Sequence, residues 1–181
     1  PSSALQKEIK ELAADLFEMR NKDFQNYGWG QPFDWPSTHV LKANTPRATV
    51  SSQVAMAFLD LYEEFGEERY LEIANGVCRL FLEDFNYTED SDGDFCLSYT
   101  TEDNYHIHNA SVLAAAVLVR YHYHKPHDEY LSAAVKALRF TAKDQIANGA
   151  WNYRSKPDKV RGMVDNIHTG FVLEAFIDCK R

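Results

Sequence analysis

A chain of 181 residues with 45% hydrophobic and 25% charged residues, and only 8 Gly and 6 Pro, has the composition of one compact globular domain, neither disordered nor fibrous. Nineteen Lys plus Arg against 27 Asp plus Glu give a formal net charge of -8, so no broad basic face exists to neutralise nucleic acid or an anionic membrane. Cys78, Cys96 and Cys179 are odd in number and lack metal-ligand spacing, and the longest apolar run, Val112 to Val119, is far short of the roughly 20 residues that span a bilayer; with no signal-peptide h-region in residues 1–20, a reducing, cytoplasmic setting is expected.

The first predicted helix, near 3–19, is amphipathic: Leu5, Ile9, Leu12, Leu16 and Phe17 recur at helical spacing, and Ser3 with Gln6 forms a capping box. Thr45-Pro46, a cap followed by proline, starts a second helix to about residue 65 that is apolar almost all round. Helices near 67–85 and 128–146 are again amphipathic, whereas those near 109–124 and 167–179 are again apolar. Amphipathic outer helices therefore alternate three times with apolar inner ones.

A shift of 60 residues pairs Ser51 with Ser111, Tyr70-Leu71 with Tyr130-Leu131, and Ile107-His108 with Ile167-His168. Long loops, 20–45, 86–107 and 147–166, enter the inner helices, and each holds a Gly- and aromatic-containing stretch with the alternation of a short hairpin. The opposite connections are short. The pattern predicts an all-α fold, an α/α-toroid arc of about three helical hairpins with short β-hairpins in the long loops, as one domain over 1–181. Every long loop and every inner-helix N-terminus falls on one end, where binding groups concentrate.

Three groups mark that end: Trp29, Asp34, Trp35, His39 and Arg47; Glu102, Asp103, Asn104, Tyr105, His106, His108 and Asn109; and Trp151, Tyr153, Arg154, Arg161, Asp165, Asn166, His168 and Thr169. Aromatics interleaved with carboxylates and amides suit a sugar, whose C–H faces stack on rings while its hydroxyls need polar partners; the same rings at equivalent repeat positions also serve to plug a loop against the next helix. Asp165 with His168, and His106 beside Asp103, have the composition of acid/base pairs. His122, His124 and His127 fall on the opposite face and read as a solvated surface, and Glu89 to Asp94 reads as a hairpin tip, lacking the full ligand pattern of a calcium loop.

Asn148-Gly149-Ala150-Trp151-Asn152-Tyr153 followed by Asp165-Asn166-Ile167-His168-Thr169-Gly170-Phe171-Val172-Leu173-Glu174 resembles the Gly-x-Trp-x-Tyr and Asp-Asn-x-His-Thr-Gly-Phe-x-Leu-Glu signature of α/α-toroid proteins found with bacterial polysaccharide biosynthesis genes. His108-Asn109-Ala110-Ser111 resembles the preceding repeat of that group, so the likeness covers roughly residues 95–176. It implies the fold of six-hairpin glycosidases, uronate lyases, sugar epimerases and terpenoid cyclases; the absence of an Asp-rich box at an inner-helix start weighs against the last. A full toroid has about six hairpins, so a three-hairpin chain is expected either to be part of a longer protein or to meet another subunit.

The resulting expectation is a carbohydrate-binding or carbohydrate-active toroid in polysaccharide metabolism, of epimerase, lyase or hydrolase type. Asp165, His168 and His106 are the catalytic candidates. Trp29, Asp34, Trp35, Tyr105, His108, Trp151 and Tyr153 are binding candidates, and Arg47 or Arg161 is the partner for a uronate carboxylate. No metal or cofactor is expected. The rival expectation is a non-catalytic helical-repeat scaffold.

Overall fold

The computed structural model describes residues 2–36, 40–155 and 163–180. They form α1 (Ser3–Glu18), β1 (Trp35–Pro36), β2 (Val40–Leu41), α2 (Ala48–Phe65), α3 (Glu68–Glu83), β3 (Tyr87–Glu89), β4 (Phe95–Leu97), α4 (His108–His124), α5 (Asp128–Lys143) and α6 (Asn166–Asp178). All six predicted helices are present, each end within three residues of its expected place.

The helix starts differ from local expectation for physical reasons. The α1 cap is Ser2, whose hydroxyl accepts from the Leu5 N–H at 3.4 Å, one residue ahead of the expected Ser3. Helix α2 starts at Ala48 rather than Pro46, because Arg47 is still extended and the Ala48 N–H donates to the Tyr99 carbonyl at 3.0 Å. A partner in the next loop thus replaces the side-chain cap. At its other end Gly66 has φ 66° and its N–H returns to the Tyr62 carbonyl at 2.8 Å, a left-handed stop that strains any other L residue.

Packing follows the alternation. Helices α2, α4 and α6 adjoin one another as the inner layer, with α3 against α2 and α5 against α4 on the outside. Phe58, Leu59, Tyr70, Leu80, Phe81, Val117 and Leu118 fill the main core, and Val112, Ala116, Trp151, Val172 and Ala175 form a second cluster that joins α4 to α6. A buried aliphatic or aromatic side chain stabilises by about 1.5–3 kcal/mol, so these layers dominate the stability.

Two of the three expected hairpins form, with Trp35 opposite Leu41 and Tyr87 opposite Leu97. In the third aromatic loop no strand pair forms among the described residues; Arg154 instead bridges to Ile107, and Arg47 bridges to Thr100 in the same manner. Each long loop is thereby tied to the next one at the inner-helix N-termini. The result is an arc of an α/α toroid. None of the described helices is long and apolar enough to cross a membrane, and all three cysteines are free.

Candidate functional site

Asp165 is the N-cap of α6. Its Oδ1 accepts from the His168 backbone N–H at 2.8 Å, and its Oδ2 makes a short contact with His168 Nδ1. The hydrogen bond from that backbone N–H, with the ring's hydrogen bond and charge adding to it, holds the Asp165 carboxyl below the usual carboxylate range. An ionised Asp165 keeps the proton on Nδ1 and leaves Nε2 as the basic nitrogen, the arrangement a general base requires. His168 is partly exposed, and the Tyr153 ring meets it edge-on with centroids 4.3 Å apart. Burial raises the pKa of the Tyr153 phenol, which also senses Tyr99, Arg154, Asp165 and Asp103, so this pair sits against the second long loop.

That loop is shaped by Asp103. Its carboxylate accepts from the Tyr99 N–H at 3.1 Å, the Thr100 hydroxyl at 2.7 Å and the Tyr105 N–H at 2.9 Å. Tyr105 is half-buried, with the Arg154 guanidinium 4.2 Å from its ring centroid. On the first loop the Arg47 guanidinium lies 5.6 Å from the ring centroid of Trp35, which is 42% exposed. Arg47 itself is 3% exposed, and its Nε and Nη2 have no hydrogen-bond partner among the described residues. The neighbouring Thr45 hydroxyl reaches Glu102 of the second loop at 3.4 Å. Trp35, Arg47, Glu102, Tyr105, Tyr153, Asp165 and His168 thus lie on three successive loops at one end.

Other candidates are placed differently. Trp29 is 3% exposed and donates its indole N–H to the Leu16 carbonyl at 2.8 Å; Trp151 is 5% exposed and donates to the Thr141 carbonyl at 2.7 Å. Each satisfies an end carbonyl of the preceding outer helix, so neither presents a face for stacking and both leave the proposed platform. His108 is fully buried against Thr141 Oγ1 at 3.3 Å and Asp144 at 3.4 Å, and so is a core group rather than a binding one. The His106 ring is buried and stacks on Phe140, and its carbonyl accepts from the Ser155 N–H at 2.8 Å, which withdraws it from the solvent-facing acid/base role. Asp34 accepts from the Ala43 N–H at 2.8 Å and from Lys42 at 3.1 Å, pinning the first hairpin. Arg161 and His39 lie outside the described residues.

Some residues were missed as site groups. Asn109 Oδ1 and Thr169 Oγ1, at the same repeat position in the first turns of α4 and α6, are buried without a partner among the described residues, as is Ser52 Oγ of α2. The 60-residue repeat that pairs Asn109 with Thr169 was the available signal. Ser51 and Ser111 hold the loops: Ser51 Oγ accepts from the Trp29 N–H at 3.0 Å and Ser111 Oγ from the Leu97 N–H at 3.1 Å.

Elsewhere, His122 accepts from the His127 N–H at 2.9 Å and His124 meets Glu63 at 2.8 Å, so these histidines staple the short-turn end rather than merely facing solvent. Asp90, Asp92 and Asp94 form a carboxylate cluster at the β3–β4 tip, but Lys143 Nζ stands 2.8, 2.7 and 2.7 Å from them and supplies the compensating charge.

No protein-family model matches the chain, and no curated protein does. Solved structures do: the chain has the α/α-toroid fold of the six-hairpin glycosidase superfamily. It is similar to a cellobiose 2-epimerase from Spirochaeta thermophila at 14% identity, covering 100% of this chain and 52% of that one with a TM-score of 0.65. A cellobiose 2-epimerase from Bacillus thermoamylovorans is 16% identical over 97% of this chain and 51% of its own, with a TM-score of 0.66. A family 76 glycoside hydrolase, a mannosidase, from Bacteroides thetaiotaomicron is 14% identical over 84% of this chain and 44% of its own, with a TM-score of 0.54. The chain spans about half the length of the solved structures it matches.

Proposed function

We propose that the long-loop end binds a saccharide bearing a carboxylate, with Arg47 as its cationic partner and Trp35 as a stacking face, and that Asp165 and His168 are the acid/base pair of an epimerase, lyase or hydrolase reaction. The observation that carries this reading is Arg47: a guanidinium 3% exposed with two nitrogens unpartnered among the described residues, below an exposed indole. Leaving a buried donor unpaired costs roughly 1–3 kcal/mol, more when charged, and a carboxylate offers the bidentate acceptor that removes the penalty. Two solved toroids of this fold are named for cellobiose and one as a mannosidase, which supports sugar as the ligand class.

His168 Nε2 is the group that takes or gives a proton at a sugar carbon or oxygen, while Asp165 fixes its tautomer and stabilises the imidazolium that forms. Titration calorimetry with an oligogalacturonate and with a neutral cello-oligosaccharide tests the reading. The acidic ligand is expected to bind the wild type and to bind Trp35→Ala about tenfold or more weakly, as loss of a ring contact of ~1.5 kcal/mol requires. Equal binding of both sugars, or none, contradicts it. The buried state of Trp29, Trp151 and His108 favours the scaffold reading for those residues, and a pure scaffold predicts no heat with either sugar.

A further inference from the structure

Each outer helix here packs on the inner helix before it, α3 on α2 and α5 on α4. The order of elements begins with an outer helix, α1, and ends with an inner one, α6. Both carry an exposed apolar stripe. On α1 and its C-cap it is Leu5, Leu12 and Met19, 47%, 61% and 61% exposed and seven residues apart. On α6 it is Ile167, Leu173 and Ile177, 69%, 47% and 57% exposed, on the side opposite Val172 and Ala175, which are buried against α4. The 60-residue shift maps Gly170 and Ile177 of that side onto Ala110 and Val117 of α4, both fully buried. This face of an inner helix is therefore one the repeat covers, and α6 has the apolar residues for such a cover. Helix α1, of the outer class and apolar on its free side, has the matching surface.

We propose that the chain closes its ring with a second copy of itself, α1 of each copy lying against α6 of the other about a two-fold axis. The length favours this occupant: nearly the whole chain superposes on about half of a solved toroid, so two arcs supply one ring. The pairing is reciprocal, giving two identical seams and no open end. It also sets the α6 N-terminus, with Asp165 and His168, beside the α2 N-terminus of the second copy, with its Arg47, as α4 sits beside α2 within one chain. That last consequence rests on the ligand reading above; the assembly test reads mass alone, so its failure would leave the ligand reading standing.

Sedimentation equilibrium across a concentration series, on wild type, Leu12→Glu and Ile177→Glu, is the test. The wild type is expected at twice the 20.8 kDa protomer mass, and each variant at an exposed position should raise the dimer dissociation constant about tenfold or more while leaving helical circular dichroism unchanged. Mixing the two variants should restore part of the dimer, because a mixed pair places both substitutions in one seam and leaves the other seam intact. A dimer insensitive to either substitution, or weakened by both yet not restored by mixing, overturns the α1–α6 pairing. Larger assemblies overturn the closed ring. A monomer at every concentration overturns the second copy as occupant and gives the two stripes to a further helical hairpin.

Discussion

Arg120 and Arg47 stand at opposite ends of the inner layer and are treated in opposite ways. Arg120, on the C-terminal half of α4, is paired with Asp60 at 2.5 Å and with Glu63 at 2.8 Å, beside the short turns. Arg47, at the N-terminus of α2, is more deeply buried and has two guanidinium nitrogens unpartnered among the described residues. The same architecture satisfies a charge where it builds turns and leaves one strained where it gathers loops. Unpaired buried polar groups that persist against their cost mark places with a task other than stability.

The largest expected effect separates packing aromatics from ligand-facing ones. Trp151→Ala, which removes a buried indole and its bond to the Thr141 carbonyl, should lower unfolding free energy by about 3–5 kcal/mol in denaturant titrations, whereas Trp35→Ala should change it by less than about 1 kcal/mol. Next come the two arginines, with opposite signs. Arg47→Met should stabilise the fold by about 1–3 kcal/mol through loss of an unpaired buried charge, and Arg120→Met should destabilise it by about 1 kcal/mol through loss of a half-exposed network. Melting curves of the two variants read both signs.

Asp165→Asn should cost about 1 kcal/mol or less of stability and abolish any sugar turnover, because an amide still caps α6 weakly but cannot hold His168 in its basic tautomer. The pH dependence follows from the lowered Asp165 pKa: its stabilisation is complete above the ordinary carboxyl range near pH ~4 and is lost as pH falls through the lower folded value. The Asn variant should lose that part of the acid slope. The smallest effect is at the hairpin tip, where Lys143→Ala removes the ammonium from Asp90, Asp92 and Asp94; about 0.5–1 kcal/mol should be lost at low salt and less at high salt.

The helices and their inner or outer class could be read from the chain, since burial imposes period and the repeat fixes the order. Local signals failed where a distant group took over. Thr45-Pro46 has the composition of a helix start, yet Thr45 turns to Glu102 and the Ala48 N–H is satisfied by Tyr99, so the helix starts two residues later. Trp29 and Trp151 have the composition of a sugar platform, but a ring's role depends on where its N–H ends, and here both end on outer-helix carbonyls. Asp165–His168 could be found because cap and pair lie within one helical turn. The isolation of Arg47 could not, since sequence does not show which charges fail to meet.

Scanning calorimetry of wild type and Arg47→Met, each with and without an oligogalacturonate, tests the loop-end site most directly. The account predicts that the ligand raises the melting temperature of the wild type, that Arg47→Met melts higher than the wild type without ligand, and that the variant does not respond to it. A variant that melts lower than the wild type, or that gains as much from the ligand, would contradict the assignment of Arg47 to the ligand.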